Sequence, residues 1–312
     1  MGCLEGFSVK GSNQKDIYLY YWSTPSKPKA VIQIFHGMAE HAGRYERFAH
    51  YMNDKDFAVY ANDLRGHGKT AERLGEIGYI GEDGFNGIVE DQHIITETIK
   101  ANHPNTPVVI LAHSFGSFIT QEYITRYGKD VSAVIMSGSS MIKGFQVIAG
   151  RILAIISKMI FSERKKSHLI NKLSFGAYNR KIENPTSPFD WISRDKTEVR
   201  KYDLDPYCGI VLSINFYYYF FKGLAALYRD KKLNNIPKSL PIFMISGDND
   251  PVSNYGKGVT KLYENYKRIG LQNVDIKLYE GARHEILNEI NRVEVFEDII
   301  LFIKDVARGG FY

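Results

Sequence analysis

The sequence predicts an α/β protein: a mostly parallel sheet of eight strands, helices on both faces, and a helical insertion over one end. Three observations carry this. Short apolar runs alternate with segments of helical periodicity from about residue 30 to residue 140, as in a parallel sheet covered by helices. The alternation stops between 141 and 237, where no segment has strand character. It resumes at 242 and continues to the last helix. The core is therefore assigned to 1–140 and 238–312, and a helical cap to 141–237.

Each element follows from local chemistry. Strands over 7–10 and 17–22 flank the polar turn Gly11-Ser12-Asn13-Gln14 and read as a hairpin. The apolar run 30–35 is a strand that ends at His36-Gly37. A helix near 43–55 follows, with Tyr45, Phe48 and Met52 at helical spacing. The strand 57–61 ends at Asp63. A long helix over 84–102 is stopped before Pro104. The strand 108–111 runs into Ala112-His113-Ser114-Phe115-Gly116 and a helix over 117–126. The strand 131–136 ends in Ser137-Gly138-Ser139-Ser140. The insertion holds an apolar helix over 148–161, the charged knot Glu163-Arg164-Lys165-Lys166 and the aromatic run Phe216-Tyr217-Tyr218-Tyr219-Phe220-Phe221. The strand 242–246, a helix over 255–269, the strand 274–279 and a helix over 292–306 close the chain.

Composition narrows the function classes. A hydrophobic content of 44% and a charged content of 24% over 312 residues belong to a globular protein with a large core. A net charge of +5 with no basic stripe excludes a nucleic-acid partner. Cys3 and Cys208 have no metal or redox spacing, which fits a reducing, cytoplasmic compartment. Residues 1–6 lack a signal-peptide pattern, and Gly6 breaks a myristoylation motif. The longest apolar run is interrupted by Arg151 and Lys158, too soon to span a bilayer. The histidines make no metalloprotease-type pair, so no metal and no cofactor is expected.

The chemistry lies at strand ends. Residues 112–116 form a strand–turn–helix with Ser114 at the tip, the layout of a nucleophile elbow in which Ala112 replaces the usual first glycine. A serine hydroxyl needs a base and a group to orient that base. Two later strands end in Gly247-Asp248-Asn249-Asp250-Pro251-Val252 and in Glu280-Gly281-Ala282-Arg283-His284. The order Ser, Asp, His, each past a strand's carboxyl end, is that of catalytic groups at one sheet edge. Spacing alone leaves Asp248 and Asp250 both open as the partner of His284. The N–H groups of Met38 and Phe115 supply a two-donor oxyanion hole. The loop from Asp63 to Gly68 lacks the third glycine of a dinucleotide fingerprint and reads as a structural brace.

These motifs together resemble the α/β-hydrolase superfamily, and within it the monoacylglycerol lipase and bacterial lysophospholipase group of serine-aminopeptidase-like hydrolases. The resemblance rests on His36-Gly37-Met38-Ala39-Glu40-His41-Ala42-Gly43-Arg44-Tyr45, on Asp63-x-x-Gly66-His67-Gly68, on residues 112–116, on Asp250-Pro251-Val252 and on Tyr279-Glu280-Gly281-Ala282-x-His284. It implies Ser114 as nucleophile, His284 as base, Asp250 as orienting acid, Met38 and Phe115 at the oxyanion hole, and a cap between the sixth and seventh strands. The expected function is hydrolysis of a small-molecule or lipid ester, monoacylglycerol or lysophospholipid first. An aminopeptidase on the same triad is the alternative. It needs a cap acid for the substrate ammonium, with Glu163, Glu183, Asp190 and Asp195 available. A non-catalytic binding protein is the third reading. Most apolar cap side chains are expected to pack inward. An exposed apolar face on the helix at Ile148 would permit transient docking on a membrane surface. The oligomeric state is not legible.

Overall fold

The computed structural model describes residues 4–308; the readings that involve Met1, Gly2 and Cys3 lie outside them. The elements, in chain order, begin with β1 (Leu4–Lys10), β2 (Asp16–Trp22), β3 (Ala30–Phe35), α1 (Glu46–Asn53), β4 (Phe57–Asn62), α2 (Gly68–Leu74), α3 (Gly84–Asn102), β5 (Val108–His113), α4 (Phe115–Tyr127) and β6 (Ala133–Ser137). Five helices follow before the next strand: α5 (Phe145–Ile160), α6 (His168–Phe175), α7 (Lys196–Leu204), α8 (Ile214–Leu227) and α9 (Asp230–Leu233). The chain closes with β7 (Ile242–Gly247), α10 (Lys257–Arg268), β8 (Val274–Tyr279) and α11 (Arg292–Ala307).

The eight strands form one sheet in the order β1-β2-β4-β3-β5-β6-β7-β8. The β1–β2 and β2–β4 pairs are antiparallel and the other five are parallel. The inner strands β3, β4, β5 and β6 are buried at every residue. That burial explains why they read as unbroken apolar runs and not as alternating ones. One apolar core lies under α3, α4, α10 and α8; the second lies under α1 and α11. Gln33, the polar residue inside β3, is satisfied by Gln92 O at 3.0 Å and by the Thr96 hydroxyl at 2.7 Å.

Topology places the site. From β3 the chain steps outward to β4, then returns to place β5 on the other side of β3. Their carboxyl ends therefore part at a switch point, where ligands bind in open α/β sheets. The register pairs Phe35 with Ala112. The loop that begins at His36 and the turn at Ser114 consequently start side by side.

Two differences from the sequence reading have physical causes. Residues 43–45, taken there as the start of a helix, belong to a 3-10 turn over Ala42–Tyr45 before α1, and Arg44 within it points into a buried ion cluster. The α5 helix does not pack mostly inward. Among its residues only Val147 and Ala154 are buried, whereas Phe145 and Met159 are 83% and 82% exposed. The α5 helix meets α8 across the small Gly150, where an added Cβ would sit 2.5 Å from the Phe221 ring. The face of α5 turned away from α8 is left uncovered. No helix among the described residues is long and apolar enough to cross a membrane.

Candidate active site

Ser114 occupies the tight turn between β5 and α4 with φ 49° and ψ −113°. A non-glycine residue pays roughly 1–3 kcal/mol for such backbone, and it persists only where its surroundings enforce it. The enforcement is visible. Ser114 N donates to Ser137 O at 2.9 Å, and Ser117 Oγ donates to Ser114 O at 2.6 Å. Gly116 must be glycine, because a Cβ there would lie 2.1 Å from Phe35 O. Alanine is tolerated at 112, which is fully buried inside β5. The turn leaves Ser114 partly accessible while residues 108–113 and 115–120 are buried. Phe115 opens α4, so its N–H has no acceptor within the helix.

The loop after β3 is held from several sides. Gly37 N donates to Glu40 Oε1 at 2.5 Å, and Tyr45 OH donates to the same oxygen at 3.1 Å. His36 Nε2 accepts from Leu64 N at 2.9 Å, which leaves the proton on Nδ1 to donate to Gly37 O at 2.7 Å. Burial keeps His36 neutral by pushing its pKa well below the usual histidine range. Asp63 accepts from Ala42 N and Lys69 N, so the glycine-rich loop braces this turn from behind. The Met38 N–H therefore sits in a fixed turn beside the elbow: a Cβ on Gly37 would lie 3.3 Å from Ser114 Cβ.

His284 follows β8 and is buried. Its Nδ1 is 3.0 Å from Asp250 Oδ1. Asp250 is itself fully buried and also accepts from Val252 N at 2.8 Å and Ser246 Oγ at 3.3 Å. Asp248 instead accepts from Gly281 N at 2.8 Å and ties the β7 loop to the β8 loop. Of the two acids left open by spacing, Asp250 faces the imidazole. Burial alone would lower the His284 pKa. The Asp250 charge and hydrogen bond, with help from Glu285 and Glu40, outweigh it and leave the pKa above the usual value. His113, 4.6 Å from His284 between ring centres, is held at about 4 by burial and by that neighbour, so it stays neutral.

Ser114, His284 and Met38 line one cavity of about 310 Å³, walled on the insertion side by Phe175, Trp191 and Ile210. The insertion grips the histidine loop directly. His284 N and Glu285 N donate to Trp191 O and Ile192 O at 3.5 and 2.7 Å, and the Trp191 ring lies 5.1 Å from the imidazole.

One buried ion cluster beside the cavity is invisible to the motif reading. Arg44 donates to Glu40 Oε2 at 2.7 Å and, through both terminal nitrogens, to the two oxygens of Glu285 at 2.7 Å each. All three side chains are nearly buried. Burial opposes the charge on Glu285, but Arg44 prevails and holds its carboxyl below the ordinary range. The cluster joins the loop after β3 to the residue after the histidine. The i,i+4 pair of Glu40 and Arg44 stands in the sequence; Glu285, 241 residues from Arg44, does not announce itself.

A strained serine at an elbow and a carboxylate-bonded histidine on one cavity at the switch point are the arrangement of a serine hydrolase of the α/β-hydrolase fold. The family described as serine aminopeptidase, S33, matches residues 26–291, and the chain belongs to that family. It is 27% identical over 292 residues to the monoacylglycerol lipase of Mycolicibacterium smegmatis, covering 90% of each chain. It is also 27% identical to the human monoglyceride lipase, covering 92% of this chain and 86% of that one. Among solved structures, a thermostable carboxyl esterase from Bacillus coagulans in complex with glycerol superposes with a TM-score of 0.90 at 30% identity, over 98% of this chain and 100% of that one. In this company the chain is a serine ester hydrolase.

Proposed function

We propose that the chain hydrolyses monoacylglycerols or closely similar single-chain lipid esters, with Ser114 as nucleophile, His284 as base and Asp250 as the acid that orients it. Asp250 engages Nδ1 of the imidazole. Nε2 is then the nitrogen left to take the Ser114 proton as the hydroxyl attacks the ester carbonyl. The negative charge on the carbonyl oxygen is received by the N–H groups of Phe115 and Met38. The intermediate collapses, and the alcohol leaves with the proton from His284. Water, deprotonated by the same imidazole, then attacks the acyl-enzyme and frees the acid and the serine. The observation that carries this reading is the buried His284–Asp250 bond facing the same cavity as a serine at positive φ.

The pocket argues for an ester of an apolar acid over a peptide. The two carboxylates that line it, Glu40 and Glu285, are both hydrogen-bonded to Arg44, so the one net negative charge of the cluster is shared among three nearly buried groups and is not a free carboxylate for a substrate ammonium. The four cap acids named above do not line the cavity. Glu163 pairs with Lys158, Asp190 with Lys196 and Asp195 with Arg292. In this reading the 141–237 insertion acts as the cap, and its aromatic and aliphatic wall receives the acyl chain.

The same reading gives the enzyme a working surface. The exposed Phe145, Ile148, Ile152, Met159 and Leu173 form an apolar face on α5 and α6. Residues 141–182 carry nine Lys or Arg against a single Glu. Apolar side chains flanked by cations suit reversible docking on a lipid surface, from inside a reducing cytoplasm. The test compares p-nitrophenyl esters of increasing chain length with amino-acid p-nitroanilides, alongside a fluorophosphonate probe on wild type and Ser114→Ala. Ester turnover that rises with chain length, with labelling lost in Ser114→Ala, is the expected result. Turnover of anilides alone, or labelling that survives the substitution, overturns the proposal.

A further inference from the structure

We propose that His41, Asp205 and Cys208 form a binding site for a thiophilic divalent cation, zinc(II) being the probe, that staples the insertion to the oxyanion loop. His41 lies three residues beyond Met38, on the loop after β3. Asp205 and Cys208 come from the turn that follows α7. Nothing in local spacing links them, because the fold alone brings together residues 164 apart.

The geometry suits one ion. One donor atom from each residue lies within 4.8 Å of the other two. His41 Nε2 is already 2.9 Å from Asp205 Oδ2. Nitrogen, oxygen and sulfur around a tetrahedral zinc stand about 3.3–3.8 Å apart, given metal–ligand bonds of roughly 2.0–2.3 Å. Small side-chain shifts therefore close the site and leave a fourth position for water. A mixed nitrogen, sulfur and oxygen donor set suits zinc or cobalt and not the hard calcium or magnesium ions.

An ordinary His–Asp ion pair does not account for what remains. Cys208 is a buried free thiol that brings its S–H beside the pair. Ligation would release that proton to solvent and leave the sulfur as thiolate, with no change of oxidation state. His41 and Asp205 keep partial contact with water, which gives the ion a way in.

The position gives the site its consequence. Gly209 N and Tyr202 OH, from the turn and helix that carry Cys208, donate to Ala39 O at 2.9 and 2.8 Å. Ala39 itself is held at φ 54°, next to Met38. An ion on His41 and Cys208 bridges both sides of this clamp and ties the pocket wall to the loop that carries an oxyanion donor.

The experiment titrates the metal-free full chain with cobalt(II), then zinc(II). The expected result is a near-ultraviolet thiolate-to-cobalt charge-transfer band that saturates at one ion per chain and disappears on zinc addition. Cys208→Ser should abolish the band, and Asp205→Asn should weaken binding about tenfold or more. His93→Gln, at a separate His/Glu/Asp group, should leave it unchanged. Should Cys208→Ser fail to fold, the melting temperature of wild type decides: zinc should raise it and magnesium should not. No band, a band that persists in Cys208→Ser, binding lost only in His93→Gln, or a melting temperature that zinc leaves unmoved each overturns the proposal.

Discussion

Replacing Arg44 by methionine tests how far the buried ion cluster supports both fold and site. The side chain keeps its length and loses its charge. Glu40 and Glu285, each 2.7 Å from the guanidinium and both nearly buried, are then left facing one another unpaired. Breaking a buried ion pair from one side costs about 3–5 kcal/mol, most of it the stranded charge. For 312 residues, an unfolding entropy of about 2.1 cal/mol/K per residue gives about 0.65 kcal/mol per degree. Arg44→Met should therefore lower the melting temperature by about 5–8 °C. Activity should fall as well, because Glu40 also accepts from Gly37 N in the loop proposed to carry an oxyanion donor. The assay is calorimetry alongside kcat/KM on a soluble ester. The variant Glu40→Gln/Arg44→Met/Glu285→Gln removes all three charges, and it should recover most of the lost stability. A melting temperature within about 1 °C of wild type for Arg44→Met, or a triple variant no more stable than the single one, would refute the argument that stranded charge is the cause.

Further outcomes follow from the same geometry. Asp250→Asn should reduce kcat by about 10³–10⁴-fold with the fold intact, since the imidazole loses its orienting acceptor; circular dichroism and single-turnover kinetics check both halves. The rate should rise with pH as His284 loses its proton, along a limb placed above the usual histidine range by Asp250. In Asp250→Asn that limb should move to lower pH, because burial then acts unopposed; a pH profile of kcat/KM reads it. Gly37→Ala puts a Cβ 2.6 Å from Glu40 Oε1 and 3.1 Å from His113 Cδ2. It should cost about 10²-fold in kcat through the displaced oxyanion loop, with fluorophosphonate labelling slowed in parallel. Met159→Glu on the exposed face of α5 should leave turnover of a short soluble ester unchanged and weaken sedimentation with phosphatidylglycerol vesicles.

Much of the architecture was legible because parallel strands buried on both faces leave unbroken apolar runs, and all eight stand at the places the sequence marks. The Ser114 elbow was legible for the same local reason: strand, turn and helix lie in one short segment whose small residues answer to close backbone approach. The partner of His284 was not legible from spacing, and only the resemblance pointed to Asp250. Asp248 and Asp250 are two residues apart on one turn, and in the folded loop one caps the neighbouring strand's turn while the other meets the imidazole. Arg44 was hidden because its second carboxylate comes from the far end of the chain. The α5 helix was misjudged because periodicity reports that a helix has an apolar side, not whether anything covers it.

The hold of residues 190–193 on the histidine loop carries a lesson for protein engineering. Exchanging the region over the pocket between relatives is an obvious route to new substrate preferences. Here that region also furnishes main-chain acceptors that hold the loop of His284, the proposed base. A chimaera that transplants helices but omits this short strap inherits a new selectivity filter with an unsupported proton acceptor. Successful hybrids will be those whose junctions treat the strap as part of the chemistry.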